Sequence, residues 1–522
     1  MASNSPAPDS GSARPYAWYV LSLLLLVYIL NFVDRQIVAI LADDIKRDLK
    51  LNDQDIGFLY GTAFGVFYAL FGIPLGRLAD NWHRVRLMTA GLALWSSMTA
   101  LSGFARNGTA LALARIGVGV GEASAGPAAY SLISDWFPRR LRATALVLYS
   151  SGIYLGGGCS LLIGATIVQR WNLAYPAGGP LGLVGWQAAF LAVGLPGLLV
   201  AAWTFTLREP PRGLSEGIET PAHPAPFRAF FEELVTIVPP FTLIGAARLG
   251  FGVLARNLAV LALVAGMVAL LVALGEPPAQ WIAIGIGVYA VYSWAVALKR
   301  RDPPTYALIL GTPAFLCVVL AYGLNTFLAY AMAAFAPSFV RRSFAIPPEQ
   351  LGEVGFWIGA PAALAGFLGV TLAGRVADHL RAHSPVGRLH VILFGCLAPL
   401  LPMALAFTAR TPAMAYTMLP IAQFLICGAL GAAAATTQDL VLPRMRGTAT
   451  AAFFIGTTLI GLALGPYLAG RISTLTGDLG TGVLSLFASV PLALGAIVAA
   501  YRLLPAAESS KLRRARAAGE AL

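Results

Sequence analysis

The chain has 522 residues, of which 11% are charged and 58% are hydrophobic, whereas soluble domains carry about 25% charged residues. This composition excludes a soluble protein, and at about 20 residues per transmembrane helix the length suits about twelve to fourteen spans. The formal net charge of +12 would suit either nucleic-acid binding or the loops of a membrane protein. Because the basic residues cluster between apolar stretches, we expect an integral membrane protein with no nucleic-acid partner.

Apolar stretches divide the chain into two halves with an insert between them. Six stretches lie in each half and two lie in the insert. We therefore predict an all-α membrane protein of about 14 helices, with two six-helix bundles and two extra central transmembrane helices. The predicted domains are a cytoplasmic tail (1–15), the first bundle (16–207), the insert (208–305), the second bundle (306–505) and a basic cytoplasmic tail (506–522).

Basic residues mark one side of the predicted bundles. With a cytoplasmic N-terminus, the cytoplasmic loops and tail hold basic clusters at 77–86, 139–142, 299–301, 375–388, 444–446 and 511–516. On the opposite side, the basic residues of segment 43–53 are offset by aspartates of the same segment. The positive-inside rule therefore predicts that both termini are cytoplasmic, and we expect a multi-pass protein of a bacterial inner membrane.

The first and fourth spans carry ionisable residues within apolar sequence. The first span holds Asn31, Asp34 and Arg35, and the fourth holds Arg115 and Glu122. Such residues are functional candidates because burial of a charge in a membrane is costly. Arg115 and Glu122 share nearly the same helix face, and the rise of a helix places Asp34 and Arg115 at similar depth. A carboxylate beside an arginine predicts either a proton site or a structural ion pair.

Two sequence patterns recur in both halves at almost the same offset. Gly76-Arg77-Leu78-Ala79-Asp80 returns 298 residues later as Gly374-Arg375-Val376-Ala377-Asp378. Asp135 and Arg142 return 304 residues later as Asp439 and Arg446. A repeat of this kind predicts two halves of parallel construction.

The sequence GRLADNWHRVR at 76–86 resembles the signature loop of the major facilitator superfamily. The resemblance implies the major facilitator fold, with helices one, four, seven and ten of the basic twelve lining a central cavity. It also implies that the repeated loops stabilise a closed cytoplasmic gate. The gating residues implied in this way are Gly76, Asp80, Arg84, Asp135, Arg142, Gly374, Asp378, Asp439 and Arg446.

The insert begins with a proline-rich stretch, which is typical of a linker. Phe227, Phe230, Phe231, Leu234 and Val238 then share one helical face, which predicts an amphipathic helix on the membrane surface. The two apolar stretches at 254–274 and 279–298 are joined by a short turn. We expect a peripheral hairpin, with assembly or lipid contact as the alternative.

The second half has polar and aromatic residues in its spans rather than carboxylates. Tyr322, Asn325 and Tyr330 lie in span seven, Trp357 in span eight and Gln423 in span ten. Each is a candidate for the cavity lining, with helix packing as the alternative. Concentration of charge in the first half favours an amphiphile, whose head group would meet the charged half and whose tail would meet the apolar one.

The strings NFVDRQ at 31–36 and RIGVGVGEASAGPAAYSLISDWFPRRLRATA from Arg115 resemble the spinster subfamily of the major facilitators. This resemblance implies a secondary transporter of lysophospholipids or sphingosine phosphate, working by alternating access. It implies proton coupling through Asp34, Glu122 and Arg115. It implies that Arg35 and Arg115 meet the head group. Together with the residues selected from the spans, the candidate substrate-binding residues are Arg35, Arg115, Asn31, Tyr130, Tyr322, Asn325, Tyr330, Trp357 and Gln423.

Other functions remain open at the level of the sequence. The Asp34-Arg35 pair also resembles the organic-anion symporters of the same superfamily, and a passive lipid scramblase is a further alternative. A membrane-embedded enzyme would need a catalytic constellation, and the histidines lie in or beside loops. We expect a monomer in the lipid bilayer with a small amphiphilic or anionic substrate, no metal, no cofactor, and the proton as coupling ion.

Overall fold

The regular structure of the protein is helical in the computed structural model, which describes residues 15–176, 178–212 and 224–520. Twelve of its helices are long and apolar enough to cross a membrane, so the chain is an integral multi-pass membrane protein. The predicted tail 1–15, apart from Pro15, and most of the proline-rich linker fall outside the described residues.

Within the described part of the first half, nine helical segments build its spans. They are α1 (Pro15–Leu49), α2 (Asp53–Gly57), α3 (Ala63–Asn81), α4 (Arg84–Ser102), α5 (Gly108–Glu122), α6 (Ala125–Trp136), α7 (Arg139–Ser150), α8 (Gly152–Ala174) and α9 (Gly185–Phe205). A π-helical turn, Phe58–Thr62, joins α2 and α3 into one span. Capping residues set the helix starts: Asn52 accepts from the backbone N–H of Asp55 before α2, and Asn107 accepts from that of Ala110 before α5.

The insert and the second half follow the same plan. The insert has α10 (Pro226–Ile237), α11 (Phe241–Arg248), α12 (Phe251–Ala273), α13 (Pro278–Arg301) and α14 (Pro303–Ile309). The second half has α15 (Pro313–Ser343), α16 (Leu351–His383), α17 (Gly387–Leu397), α18 (Leu400–Phe407), α19 (Pro412–Cys427), α20 (Ala429–Asp439), α21 (Arg446–Thr457), α22 (Gly465–Thr476), α23 (Leu479–Leu484), α24 (Val490–Ser509) and α25 (Lys511–Ala517). A second π-helical turn, Thr458–Ala463, joins α21 and α22.

Helix α4 and the broken pair α5–α6 also run through the first bundle. Arg84, the first residue of α4, donates from Nε to Glu209, which follows α9, at 2.7 Å. The end of α4 meets the start of α9, where a Cβ on Gly103 would lie 2.7 Å from the carbonyl oxygen of Gln187. Helix α4 therefore crosses the same membrane thickness as α9. When α4 and the α5–α6 pair are added to the twelve spans above, the number of spans is about 14, as predicted.

Both described chain ends lie at the same end of the bundle, which we call the termini side. The hydroxyl of Tyr16 accepts from the backbone N–H of Arg208 at 2.8 Å. Glu520 and Asp302, at the end of the chain and after α13, both bind Arg444. Helix α10 packs on both α3 and α13 and so connects these two groups of contacts. The opposite end is called the far side.

The insert lies against the two halves rather than apart from them. The predicted amphipathic helix is present as α10, and its Phe227 ring lies 5.1 Å from the Trp82 ring at the end of the first-half motif. Helix α12 is largely exposed along its length, as expected of a peripheral element, whereas α13 is half buried. The expectation of a peripheral hairpin therefore describes α12 but not α13.

Candidate substrate and gating sites

A buried ion pair joins the first and fourth spans of the first half. Arg35 of α1 donates from Nη2 to Glu122 Oε2 at 2.9 Å, and the side chains are 8% and 0% exposed. Glu122 is the last residue of α5, so its carboxylate lies at the break between α5 and α6. Glu122 Oε1 and Arg35 Nε have no hydrogen-bond partner among the described residues. The pair therefore keeps polar atoms for a further proton or ligand.

Arg115 holds the backbone of α1 instead of the Glu122 carboxylate. Its Nη1 donates to the carbonyl oxygen of Asp34 at 3.0 Å, and its Nη2 donates to that of Arg35 at 3.5 Å. The two segments lie at the same depth, as expected, but Arg115 and Glu122 form no ion pair with each other in this conformation, although they share a helix face. The physical reason is helix rise: seven residues separate the two Cα atoms by about 10 Å along α5.

Asp34 faces the interior of the first half. Consecutive helix residues point about 100° apart, so Asp34 and Arg35 do not share a direction. Asp34 lies against Trp95 and Thr99 of α4, and its Oδ1 has no hydrogen-bond partner among the described residues. Asp34 is thus buried near the Arg35–Glu122 pair without belonging to it.

Aromatic rings surround the Arg35 guanidinium. Its carbon Cζ lies 4.7 Å from the Phe32 ring centroid, 4.6 Å from that of Phe64 and 4.8 Å from that of Tyr68. Such cation–π contacts stabilise the charge of an arginine in a dry site. These rings were not predicted as site residues, although the i,i+4 spacing of Phe64 and Tyr68 places them on one helix face.

A second group of rings continues from this site along the first half. Tyr28 stacks on Tyr149 with 4.3 Å between ring centroids, and Tyr130 meets Tyr149 edge-on at 5.5 Å. Tyr130, a predicted substrate-binding residue, is 42% exposed. Asn31, also predicted, is buried one turn before Arg35 and lies beside Glu122.

The second half brings one predicted residue to the ion pair. Tyr330 of α15 lies beside Arg35, so the pair faces the boundary between the halves. The other predicted residues have partners of their own: Tyr322 stacks on Phe453 at 5.3 Å, Asn325 donates to the Ile426 carbonyl at 3.1 Å, and Gln423 donates to Cys427 Sγ at 3.1 Å. Trp357 is 51% exposed and lies near Tyr416, on the helix face opposite the glycines that meet α8.

Four of the predicted gating residues take part in two clusters at the termini side: Arg84 and Asp135 in the first half, and Asp378 and Asp439, joined by Arg388, in the second. In the first half, the fully buried Arg84 binds Asp135, Ser131 Oγ at 2.9 Å, Glu209 at 2.7 Å and the carbonyl oxygen of Pro210 at 2.7 Å. In the second half, Arg388 binds Asp439 at 2.5 Å and Asp378 at 3.1 Å. The repeated aspartates of the two halves, Asp135 and Asp439, are thus each bound by an arginine at the same end of the bundle.

The remaining motif residues lie outside these two clusters. Arg142 lies in α7 and Arg446 begins α21. Gly76 comes close to α6, because its Cβ position would be 3.8 Å from Pro127 Cγ, whereas Gly374 has open space around it. The loop after Asp80 is held by Arg212, which donates to the carbonyl oxygens of Ala79 and Trp82 at 2.7 and 2.5 Å. Among the described residues, no ion pair joins the two halves at this side.

Ion pairs join the two halves at the far side instead. Arg342 of α15 binds Asp53 of α2 at 2.9 Å and also contacts Asp43, and Arg341 binds Asp44 at 3.1 Å. The sequence analysis treated these aspartates only as a charge balance for nearby basic residues. A gate of this kind needs the pairing of residues about 300 positions apart, which the sequence does not display.

Glycines allow the helices of the two halves to touch by their backbones at the far side. A Cβ on Gly57 of α2 would lie 2.3 Å from the Pro466 carbonyl oxygen of α22, and one on Gly470 of α22 would lie 2.2 Å from the Asp53 carbonyl oxygen of α2. Small residues permit such close approach of membrane helices. The far side is therefore closed in this conformation, by ion pairs and by two helix contacts.

Gly57→Val is expected to hold the far side open. The added side chain would overlap the backbone of α22, and overpacking costs about 1–3 kcal/mol, which shifts the ratio of closed to open protein roughly 5- to 150-fold. Distances between spin labels at Phe104 and Arg410, which lie in far-side turns of the two halves, measure this shift. Gly72→Val is the matched control, because nothing lies within 4 Å of its Cβ position. A closed distance in the Gly57 variant would contradict the expectation.

Comparison with known proteins agrees with this arrangement of two repeated halves. The sequence profile of the Major Facilitator Superfamily matches residues 24–466. The chain belongs to the major facilitator superfamily. This family consists of transporters and not of enzymes, so the protein is a transporter.

Individual relatives of this transporter include efflux and spinster proteins. An MFS-type efflux pump of Mycolicibacterium smegmatis is 28% identical, with 90% of this chain and 87% of that protein covered. Protein spinster of Drosophila melanogaster is 24% identical, with 87% of this chain and 62% of that protein covered. The crystal structure of a bacterial homologue of the human lysosomal transporter spinster, inward-facing and occupied, superposes with a TM-score of 0.64 at 24% identity, covering 97% and 98% of the two chains. The predicted likeness to spinster proteins is confirmed.

Proposed function

We propose that this transporter moves an anionic amphiphile, such as a lysophospholipid or a sphingosine-phosphate-like lipid, by transport that is coupled to protons. The buried Arg35–Glu122 pair supports the proposal more than any other observation. It combines a group that binds an oxyanion with a group that accepts a proton, at the boundary between two halves that must move in alternating access. Arginine suits a phosphate or carboxylate because its planar fork binds two oxygens at once.

In the proposed cycle, the substrate and the Glu122 carboxylate compete for Arg35. A proton on Glu122 removes the negative charge opposite the guanidinium, and the head group takes its place. When Glu122 ionises again, the ion pair re-forms and the ligand leaves. Arg115 keeps α1 in position through the carbonyl oxygens of Asp34 and Arg35, and Asp34 serves as a second proton site. In this proposal Arg35, and not Arg115 as predicted from the sequence, links proton binding to substrate binding.

The distribution of charge supports an amphiphilic substrate. All seven charged residues that are buried in the described chain belong to the first half: Asp34, Arg35, Asp44, Asp53, Arg84, Arg115 and Glu122. The second half offers Tyr330 to the same site and an apolar group around Tyr322 and Phe453. A head group beside Arg35 and a tail against the second half would satisfy both surfaces.

A binding screen of lysophospholipids against small carboxylates tests the substrate class. We expect lysophospholipids to bind at least tenfold more tightly, and Arg35→Ala to remove that binding, because the variant keeps the apolar surface but loses the guanidinium. Preferential binding of small carboxylates would identify a small-anion symporter instead. Lipid movement in liposomes that continues without a pH gradient would identify a passive scramblase.

A further inference from the structure

The turn between α12 and α13 binds a helix of the second half at the far side. Glu276 Oε1 accepts from Arg471 Nη2 at 2.9 Å and from its Nε at 3.2 Å. Glu276 Oε2 accepts from the Tyr467 hydroxyl at 2.8 Å and from Trp281 Nε1 at 3.3 Å. These contacts hold the pKa of Glu276 below its ordinary value, so the carboxylate is ionised near neutral pH. The hairpin turn is therefore tied to α22 by charge and by hydrogen bonds.

The same side chains of α22 bind the first half. Arg471 Nη1 donates to Gln54 Oε1 at 3.3 Å, and Gln54 Nε2 donates to the Tyr467 hydroxyl at 3.3 Å. Two residues after Arg471 in α22, the Ser473 hydroxyl donates to Asp53 at 2.7 Å. Arg471 and Tyr467 thus each hold the hairpin turn on one side and α2 on the other.

Helix α13 also lies across the boundary between the halves. A Cβ on Gly287 would lie 2.9 Å from Leu459 of the second half and 3.5 Å from Val66 of α3 in the first half. The hairpin therefore touches both moving bodies, through α13 along its length and through Glu276 at its turn. Separation of α2 from α22 would pull on both contacts.

We infer that the hairpin is a latch for the far-side gate: Glu276 orients Arg471 and Tyr467 so that α22 stays seated on α2. Removal of this carboxylate frees Arg471 from the turn and weakens its bond to Gln54. The far side should then open more readily, although no residue of the gate itself has changed. The inference rests on the alternating-access part of the proposed function and is independent of the substrate.

Glu276→Gln tests the latch, because the change removes the charge and keeps the shape of the side chain. Spin labels at Phe104 and Arg410 report the far-side distance in the full chain. We expect the ratio of closed to open protein to fall about three- to tenfold, in line with the net contribution of a typical hydrogen bond. The charge swap Glu276→Arg with Arg471→Glu should restore much of the closed population.

Glu349→Gln is the matched control, because Glu349 lies in another far-side turn and its carboxylate makes no bond within the described part of the chain. Gly57→Val is the positive control for opening. An unchanged distance in Glu276→Gln beside an open Gly57→Val would overturn the latch and leave alternating access intact. A far side that opens in neither variant would overturn both the latch and the proposed movement.

Discussion

Glu122→Gln is expected to abolish the pH dependence of substrate binding while leaving binding itself intact. Glutamine is neutral at every pH and so resembles the protonated glutamate, which leaves Arg35 available to the head group. In the unmodified protein, affinity should rise as the pH falls, because a proton on Glu122 and an anion on Arg35 favour the same state and must favour each other reciprocally. The variant should bind at alkaline pH as tightly as the unmodified protein binds at acid pH.

Binding isotherms of a lysophospholipid from acid to alkaline pH measure this effect. Arg35→Ala should weaken binding about 30-fold or more at every pH, since truncation of a buried charged partner costs about 2–5 kcal/mol. Glu353→Gln, at an exposed position of α16, is the control for a carboxylate remote from the pair. A Glu122→Gln variant with the full pH dependence of the unmodified protein would exclude Glu122 as the coupling site.

Arg84→Met is expected to destabilise the folded transporter strongly. Arg84 is fully buried and binds two carboxylates, Asp135 and Glu209, together with Ser131 and the backbone of Pro210. Methionine fills much of the volume but removes the guanidinium from both carboxylates. Removal of one member of a buried ion pair costs about 3–5 kcal/mol, which corresponds to a fall in unfolding temperature on the order of 10 °C for a bundle of this size.

Arg388→Met provides the comparison within the same molecule. Its partners Asp378 and Asp439 are 75% and 36% exposed, so water can replace the lost arginine and the effect should be about 1 kcal/mol or less. Thermal unfolding of both variants in detergent measures the difference. Equal losses of stability would show that burial of the first cluster has no energetic consequence.

The fold was accessible from the sequence because membrane helices and internal repeats leave strong local signals. The apolar stretches located the spans, and the pairs Asp135–Arg142 and Asp439–Arg446 revealed the two halves. Helix ends are less accurate: the apolar stretch of the first span ends near residue 41, but α1 continues to Leu49. Its last turns are charged, and they remain helical because Asp43 and Asp44 bind arginines of α15.

The candidate site was predicted only in part, because contacts between helices depend on packing that periodicity does not contain. The intramembrane residues Asp34, Arg35, Arg115 and Glu122 stand out by their cost in lipid, and the structure places them together. Their pairing was not predictable, since it depends on how α1 crosses α5. Trp357 illustrates the opposite error: an aromatic residue in a span was selected by type, and it lies on the exposed face of its helix.

The composition of the far-side gate makes it responsive to dissolved salt. Its ion pairs are partly exposed, with Arg342 33% and Asp43 17% accessible, and mobile ions screen such pairs over about 8–10 Å at physiological ionic strength. The glycine contacts beside these ion pairs bury little apolar surface. They therefore contribute little stabilisation of the closed state that is independent of salt. A membrane separates two solutions, and only the one that bathes the far side reaches these pairs. The balance between conformations is therefore tied to the electrolyte of one compartment, whatever the composition of the other.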